Sequence, residues 1–368
     1  MGEGMIFQNS SNVGTDRTLA SIQKILKLEP IDGADFIEKA TVLGWNVVVK
    51  KGEFQVGDKC VYFEIDSFLP NSQIYDFLGT LKNYKASQGY RLKTKKLKGI
   101  ISQGLALPLS FYTEFPLDKF GIGYNLTDLL GVIKYDVAES GIGGGIKFGK
   151  FPDFIPKTDE ERIQKLTGLF TSHNEVFFEE TLKLDGSSMT CYKISTPLKW
   201  YHKLLNLIGF KFKSHHFGVC SRNLELKRPS DKKSDFWSAA MKYNIENELP
   251  VGYAIQGELV GPKIQKNHEK VTDLEYYIFN IFDIENDKYL SPTDRVQFVE
   301  NNLKTSNHVP IVNSNIKILQ LTLDEMLNRV EGQSINSGTI SEGRVYKSLD
   351  GNLSFKCISN KYLLKCED

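Results

Sequence analysis

The stretch Glu180-Thr181-Leu182-Lys183-Leu184-Asp185-Gly186-Ser187-Ser188 decides how the second half of the chain folds. A run of β-formers from Glu175 leads into it, a turn of small residues follows Asp185, and a second β-run over 189–194 leads out. That order predicts two antiparallel strands. Asp185 lies two residues after Lys183, so an extended backbone puts amine and carboxylate on one face. Gly186 lets the backbone turn close beside whatever that face holds.

Working outward, further strands are expected at 253–260, 276–284 and 343–347, with helices over 159–169, 232–248 and 322–329. This is an α+β domain built mainly on antiparallel sheet. Upstream, Trp45-Asn46-Val47-Val48-Val49 and Cys60-Val61-Tyr62-Phe63-Glu64-Ile65 are short β-runs separated by the turns Lys51-Gly52 and Gly57-Asp58. Strands at that spacing predict a small barrel or sandwich. Residues 140–149 are glycine-dense but have neither a GK[ST] ending nor a G-x-G-x-x-G register, and they read as a connector. The boundary is placed there, giving domains 1–150 and 151–368.

The 368 residues are 40% hydrophobic and 25% charged with a net charge of +1, a soluble globular composition. A uniformly cationic coat is excluded, but a local patch is not. Seven basic residues lie between Lys82 and Lys98, and no acid occurs between Asp76 and Glu114. Arg91, Lys93 and Lys95 alternate with Tyr90, Leu92 and Thr94, so a strand would set three cations on one face, with Lys98 just beyond. Two readings stand: an edge strand protected by lysines, or a phosphate-contacting surface.

Five scattered cysteines (Cys60, Cys191, Cys220, Cys357, Cys366) signal neither a zinc site nor a disulfide framework, and a reducing compartment is expected. The six histidines have no metal-ligand spacing, and His215-His216 reads as a surface loop. With no leader and no membrane-length apolar run, a soluble intracellular protein of unassigned compartment is expected, a monomer with no membrane partner. Residues 197–217 look like an insertion of underivable purpose.

K-x-D-G, here Lys183-Leu184-Asp185-Gly186, is the nucleophile motif of covalent nucleotidyltransferases. Three fixed positions arise by chance in roughly a tenth of chains this long, so its weight comes from its companions. A lysine attacks a nucleotide α-phosphate only as a neutral amine, so desolvation and nearby cations must lower its pKa. Four more segments follow in order: Ser221-Arg222-Asn223, Gln256-Gly257-Glu258-Leu259-Val260-Gly261, Tyr276 to Asp283, and then Ser341-Glu342-Gly343-Arg344 with Ser354-Phe355-Lys356. Together they resemble the ordered motifs of the ATP-dependent ligase and mRNA-capping superfamily. Gly44-Trp45, Asp66-Ser67-Phe68-Leu69-Pro70, Ser102-Gln103-Gly104 and Phe154-Ile155-Pro156-Lys157-Thr158-Asp159-Glu160 are similar to the RNA ligase branch, which carries an OB domain ahead of the catalytic one.

The resemblance implies an N-terminal OB-like barrel followed by an antiparallel-sheet nucleotidyltransferase (ATP-grasp-like ligase) domain. It implies an RNA ligase that uses ATP with Mg²⁺ or Mn²⁺. Lys183 would carry AMP, and Asp185, Gly186 and Ser188 would line the nucleotide. Glu258 would bond the ribose hydroxyl, and Arg222 would steady ribose or phosphate. Phe282 would stack on adenine, with Phe279 as competitor. Asp185, Glu258 and Glu342 would organise a metal ion through its waters. Lys356 would hold the α-phosphate, and Lys361 would assist it, although Ile358 stands where the family often has its second lysine. Arg91, Lys93, Lys95 and Lys98 would grip RNA. The alternatives are a DNA-preferring ligase, a GTP-using capping guanylyltransferase and a non-catalytic OB-containing RNA-binding protein. With twelve residues following Lys356, the C-terminal OB domain of DNA ligases and capping enzymes is not expected.

Overall fold

The computed structural model describes residues 17–80, 85–86, 88–135, 145–172, 175–197, 214–230 and 234–365. In the N-terminal part a five-stranded antiparallel sheet runs in the order Leu105–Pro108, Lys59–Phe63, Ala20–Pro30, Ile37–Val42, Trp45–Lys50. The strand Ala20–Pro30 pairs through its first half with Lys59–Phe63 and through its second half with Ile37–Val42. The register shifts between Ile25 and Lys27, an irregularity that increases twist and curls the sheet. The sheet ends approach each other, because Gln103 N–H donates to Asn46 O at 2.8 Å and Val48 N–H to Ser102 Oγ at 3.0 Å.

The β-run expected over 45–49 is a strand, with Trp45, Val47 and Val49 buried and Asn46 and Val48 half-buried. Those three pack with Ile358, Tyr362 and Leu363 from the end of the chain, so one face of the first domain is covered by the second. Burying each such aliphatic or aromatic side chain contributes about 1.5–3 kcal/mol, and this apolar seam holds the two parts together. Polar ties flank it: Arg162 Nη2 to Asp66 at 3.0 Å, Lys165 Nζ to Glu64 at 2.9 Å, and Gly44 N–H to Gln164 O at 2.8 Å.

The second part contains two mainly antiparallel sheets. One runs in the order Ile311–Ile316, Phe178–Lys183, Gly343–Ser348, Ser354–Ile358. The larger has the central strands His215–Cys220, Ser187–Ser195, Tyr253–Val260 and Glu275–Asp283. All five strands expected from the sequence in this half are present, and the α+β class holds. The strand Lys147–Lys150 pairs with Leu224–Leu226 in the larger sheet, so the last residues before 150 join the sheet of the second part.

The helix expected over 322–329 is Leu323–Arg329, opened by a Thr322/Glu325 capping box. That over 232–248 is two helices, Asp235–Lys242 and Ile245–Glu248, separated by left-handed Asn244, which a short polar side chain tolerates. The expectation over 159–169 fails. Lys356 N–H donates to Glu161 O and Arg162 bridges Lys356, which holds this segment extended against a strand, and only Ile163–Lys165 forms a 3₁₀ turn. Its apolar residue Ile163 is buried, and Leu166 and Leu169 pack against the same core, although a helix begins only at Leu169. Helix Pro292–Asn302 was not expected, although Ser291 as N-cap and Pro292 at the first position were legible starts.

Candidate active site

Lys183 ends its strand directly opposite Gly343 on the neighbouring strand, and Glu342 immediately precedes that glycine. The register alone brings the two side chains together: Lys183 Nζ lies 2.6 Å from Glu342 Oε1. Gly343 has φ +156°, and a Cβ there would lie 2.2 Å from Cys357 O, so only glycine fits. Gly186 is required for a different reason than the turn anticipated. A Cβ on it would lie 2.4 Å from Leu259 O, so its absence lets the outgoing strand seat against Tyr253–Val260 and bring Ser188 opposite Glu258.

Lys183 therefore sits among carboxylates. Burial pushes its amine down, but Glu342, Glu258 and Asp185 outweigh that and hold its pKa above the ordinary lysine value. The expectation of a depressed nucleophile does not hold for the ligand-free chain. The carboxylates are shifted in the complementary sense. Burial raises Glu258 to about 8, with Lys183 opposing and Glu342 and Asp185 adding. Burial, then Glu342, raise Asp185 to about 6. Asp185 is positioned by Glu269, which accepts its backbone N–H at 3.1 Å, and its carboxylate lies 3.9 Å from His268 Nδ1.

Among the described residues, no three His, Cys, Asp or Glu side chains stand close enough to ligate one ion directly. Three carboxylates around one lysine, two of them with raised pKa, are nevertheless short of positive charge. That donor set fits a hydrated divalent cation, as Mg²⁺ sheds water reluctantly.

Lys356 belongs to a second cluster. Its Nζ lies 2.5 Å from Asp159 Oδ1, while Asp159 Oδ2 lies 2.9 Å from Lys134 Nζ and 3.2 Å from Arg222 Nη2. Burial pulls Lys356 down to about 8; Asp159 opposes this, and Arg17, Arg162 and Lys183 add to it. Burial works against ionising Asp159, yet Lys356, Lys134 and Arg222 hold its carboxyl far below the usual range. Lys134 was not singled out from the sequence and Asp159 only as part of the segment 154–160, because a charged residue gives no sign of partners that are distant along the chain.

Phe282 is 2% exposed, opposite Ala254 in the sheet and packed with Ile155, Tyr192 and Tyr289. Phe279 is half-buried beside Leu182, Leu184 and Val260, next to the nucleophile strand. Lys361 lies outside both clusters, 66% exposed and 3.9 Å from Glu331.

The basic stretch is not one strand. Gly89–Arg91 pairs with Ser67–Pro70, whereas Lys95–Leu97 forms a hairpin with Ile100–Ser102 through Lys98-Gly99, both at positive φ as a two-residue hairpin turn demands. The alternation persists, with Tyr90, Leu92 and Thr94 buried and Arg91, Lys93 and Lys95 half-buried. Arg91 turns inward, 3.8 Å from Asp66 and 4.3 Å above the Tyr135 ring. Lys82 and most of the 197–217 insertion fall outside the described residues, as do Cys366, His173 and His202. The four cysteines that are described are buried and free, and no described helix is long and apolar enough to cross a membrane.

A curled OB sheet docked on a two-sheet domain that presents a lysine among carboxylates defines the nucleotidyltransferase class of polynucleotide ligases. A family model described as an OB-fold domain matches residues 19–109, and one described as RNA ligase matches residues 176–365. A glutamate-to-alanine mutant of Naegleria gruberi RNA ligase with ATP and Mn is 38% identical, covers 96% of this chain and 100% of its own, and superposes with a TM-score of 0.83. The same ligase with PPi covers 94% of this chain and 98% of its own, with a TM-score of 0.81. No curated protein matches. The chain belongs to the RNA ligase family.

Proposed function

We propose that this RNA ligase seals RNA 3′-hydroxyl and 5′-phosphate ends with ATP, through AMP carried on Lys183. The amine of Lys183 bonds to the α-phosphorus of ATP as the bond to the β-phosphate breaks and pyrophosphate leaves. AMP then passes to an RNA 5′-phosphate, and a 3′-hydroxyl displaces it. The observation that carries this is the placement of Lys183 Nζ against Glu342, with Glu258 and Asp185 alongside.

Lys356 and Arg222 would receive phosphate charge, Glu258 the ribose hydroxyl, and Ser188 and Gly186 would line the floor. Mg²⁺ or Mn²⁺, when bound, would neutralise phosphate and draw the Lys183 proton toward release, and Asp185, Glu258 and Glu342 would hold it through water. Support for nucleotide and metal comes from the Naegleria ligase structures with ATP and Mn. Lys93, Lys95 and Lys98 would contact RNA phosphates, in loose ends or a nicked duplex. All these groups come from one chain, so a monomer suffices.

The test is incubation of AMP-free protein with α-labelled ATP or GTP and Mg²⁺ or Mn²⁺, with Lys183→Ala in parallel, read on a denaturing gel. Label from ATP on the wild type alone is expected. No label on folded wild-type protein would sink the covalent step, and label from GTP instead would favour capping-type chemistry.

A further inference from the structure

Asp159 gathers three cations from three separate segments. Lys134 comes from the short strand Ile133–Lys134 of the N-terminal half, Arg222 from the Ser221-Arg222-Asn223 turn, and Lys356 from the strand Ser354–Ile358. Two of these three are the groups to which the proposed function gives phosphate contacts, and the inference rests on that assignment. We propose that Asp159 is a built-in stand-in for phosphate: it neutralises these cations in the nucleotide-free enzyme and is displaced by the arriving triphosphate.

A carboxylate with two acceptor oxygens and a phosphate with three make the same kind of charge-assisted hydrogen bonds, so cations arranged for one are arranged for the other. Without an anion, Lys356, Lys134 and Arg222 would repel one another, with Arg17 and Arg162 close behind. The cluster therefore needs an internal counter-charge whenever no phosphate is bound. Its exposure separates it from a structural ion pair. Arg295 and Glu179 are 2% and 3% exposed and bonded through both carboxylate oxygens, a sealed pair. Asp159 is 30% exposed and Arg222 40%, so solutes reach the cluster and exchange can occur.

Displacement would also cut one tie between the two halves of the molecule. Lys134 would lose its partner, while Arg162–Asp66 and Lys165–Glu64 would persist. Nucleotide binding would thus free the Asp159 side chain without separating the domains, since Gln256 still donates to Pro156 O and Ile155 stays in the core.

The experiment measures binding of inorganic pyrophosphate to AMP-free wild type, Lys356→Ala and Asp159→Asn by titration calorimetry. Removing the competing anion should tighten pyrophosphate binding about tenfold and lower the ATP concentration for half-maximal single-turnover labelling. Equal or weaker binding by Asp159→Asn would overturn the proposal and make Asp159 a positioning residue for Lys356. If wild-type binding is indifferent to Lys356→Ala, the phosphate assignment of Lys356 itself fails, a separate result. Should Asp159→Asn not fold, hydrogen exchange at residues 158 and 159 in wild type decides: faster exchange with pyrophosphate is expected, and unchanged or slower exchange overturns displacement.

Discussion

Lys183 Nζ and Glu342 Oε1 lie 2.6 Å apart because Lys183 pairs with Gly343 in the sheet and Glu342 is the residue before it. An amine so placed is held protonated, burial being outweighed by three carboxylates. A nucleophilic amine must be neutral. The labelling rate at low metal should therefore climb as pH rises through the raised lysine pKa. Glu342→Gln should move that climb to lower pH while reducing the plateau. Single-turnover labelling across pH checks this, and an unmoved profile in Glu342→Gln would show that Glu342 does not set the state of Lys183.

Glu258 should leave a signature in stability. Burial raises its pKa from 4.5 to about 8, so the folded chain keeps a proton that the unfolded chain has released. Stability from this group is full below the unfolded value and falls as pH rises toward the folded one. Between those pH values the ligand-free enzyme should lose Tm, and Glu258→Gln should flatten the slope by a few degrees overall. Thermal melts from pH 4.5 to 8 decide.

The basic stretch divides by location. Lys95→Ala and Lys98→Ala should weaken sealing of labelled RNA and spare self-adenylylation. Each should also reduce the salt slope of RNA binding by about 1 for every phosphate no longer held. Arg91→Ala should behave differently, because Arg91 is tied to Asp66 and Tyr135 in the interdomain network. Loss of labelling is expected there alongside loss of sealing. Equal effects of all three on both steps would refute the division.

The aromatic assignments separate by substitution. Phe282→Ala would open a cavity costing about 3–5 kcal/mol, so Phe282→Leu is the usable variant. If Phe282 stacks on adenine, Phe282→Leu raises the KM for ATP and Phe279→Leu does not. The reverse pattern assigns stacking to Phe279.

The strands of the catalytic half were legible because each carries a β-run, and the two helix breaks were not. Asn244 interrupts a helix that composition alone would continue, and 159–169 has helical apolar spacing but is held extended by Lys356 and Asp66. The second failure is a tertiary contact overriding local preference, whereas the first is local, a short polar residue in the left-handed conformation. The basic stretch shows the same limit: its alternation was readable, but its division between two sheets and the inward turn of Arg91 depend on partners elsewhere.

By itself the sequence determined an α+β second half behind a half of short strands, since turn chemistry and strand periodicity are local properties; the OB domain and its order came from the resemblance to the RNA ligase family. Only the tertiary structure decided the electrostatics. It set Lys183 among carboxylates rather than cations, and gave Lys356 to Asp159 together with Lys134 and Arg222. Charges interact through space and burial, and strand register brings together groups such as Asp159 and Lys356 that are distant along the chain.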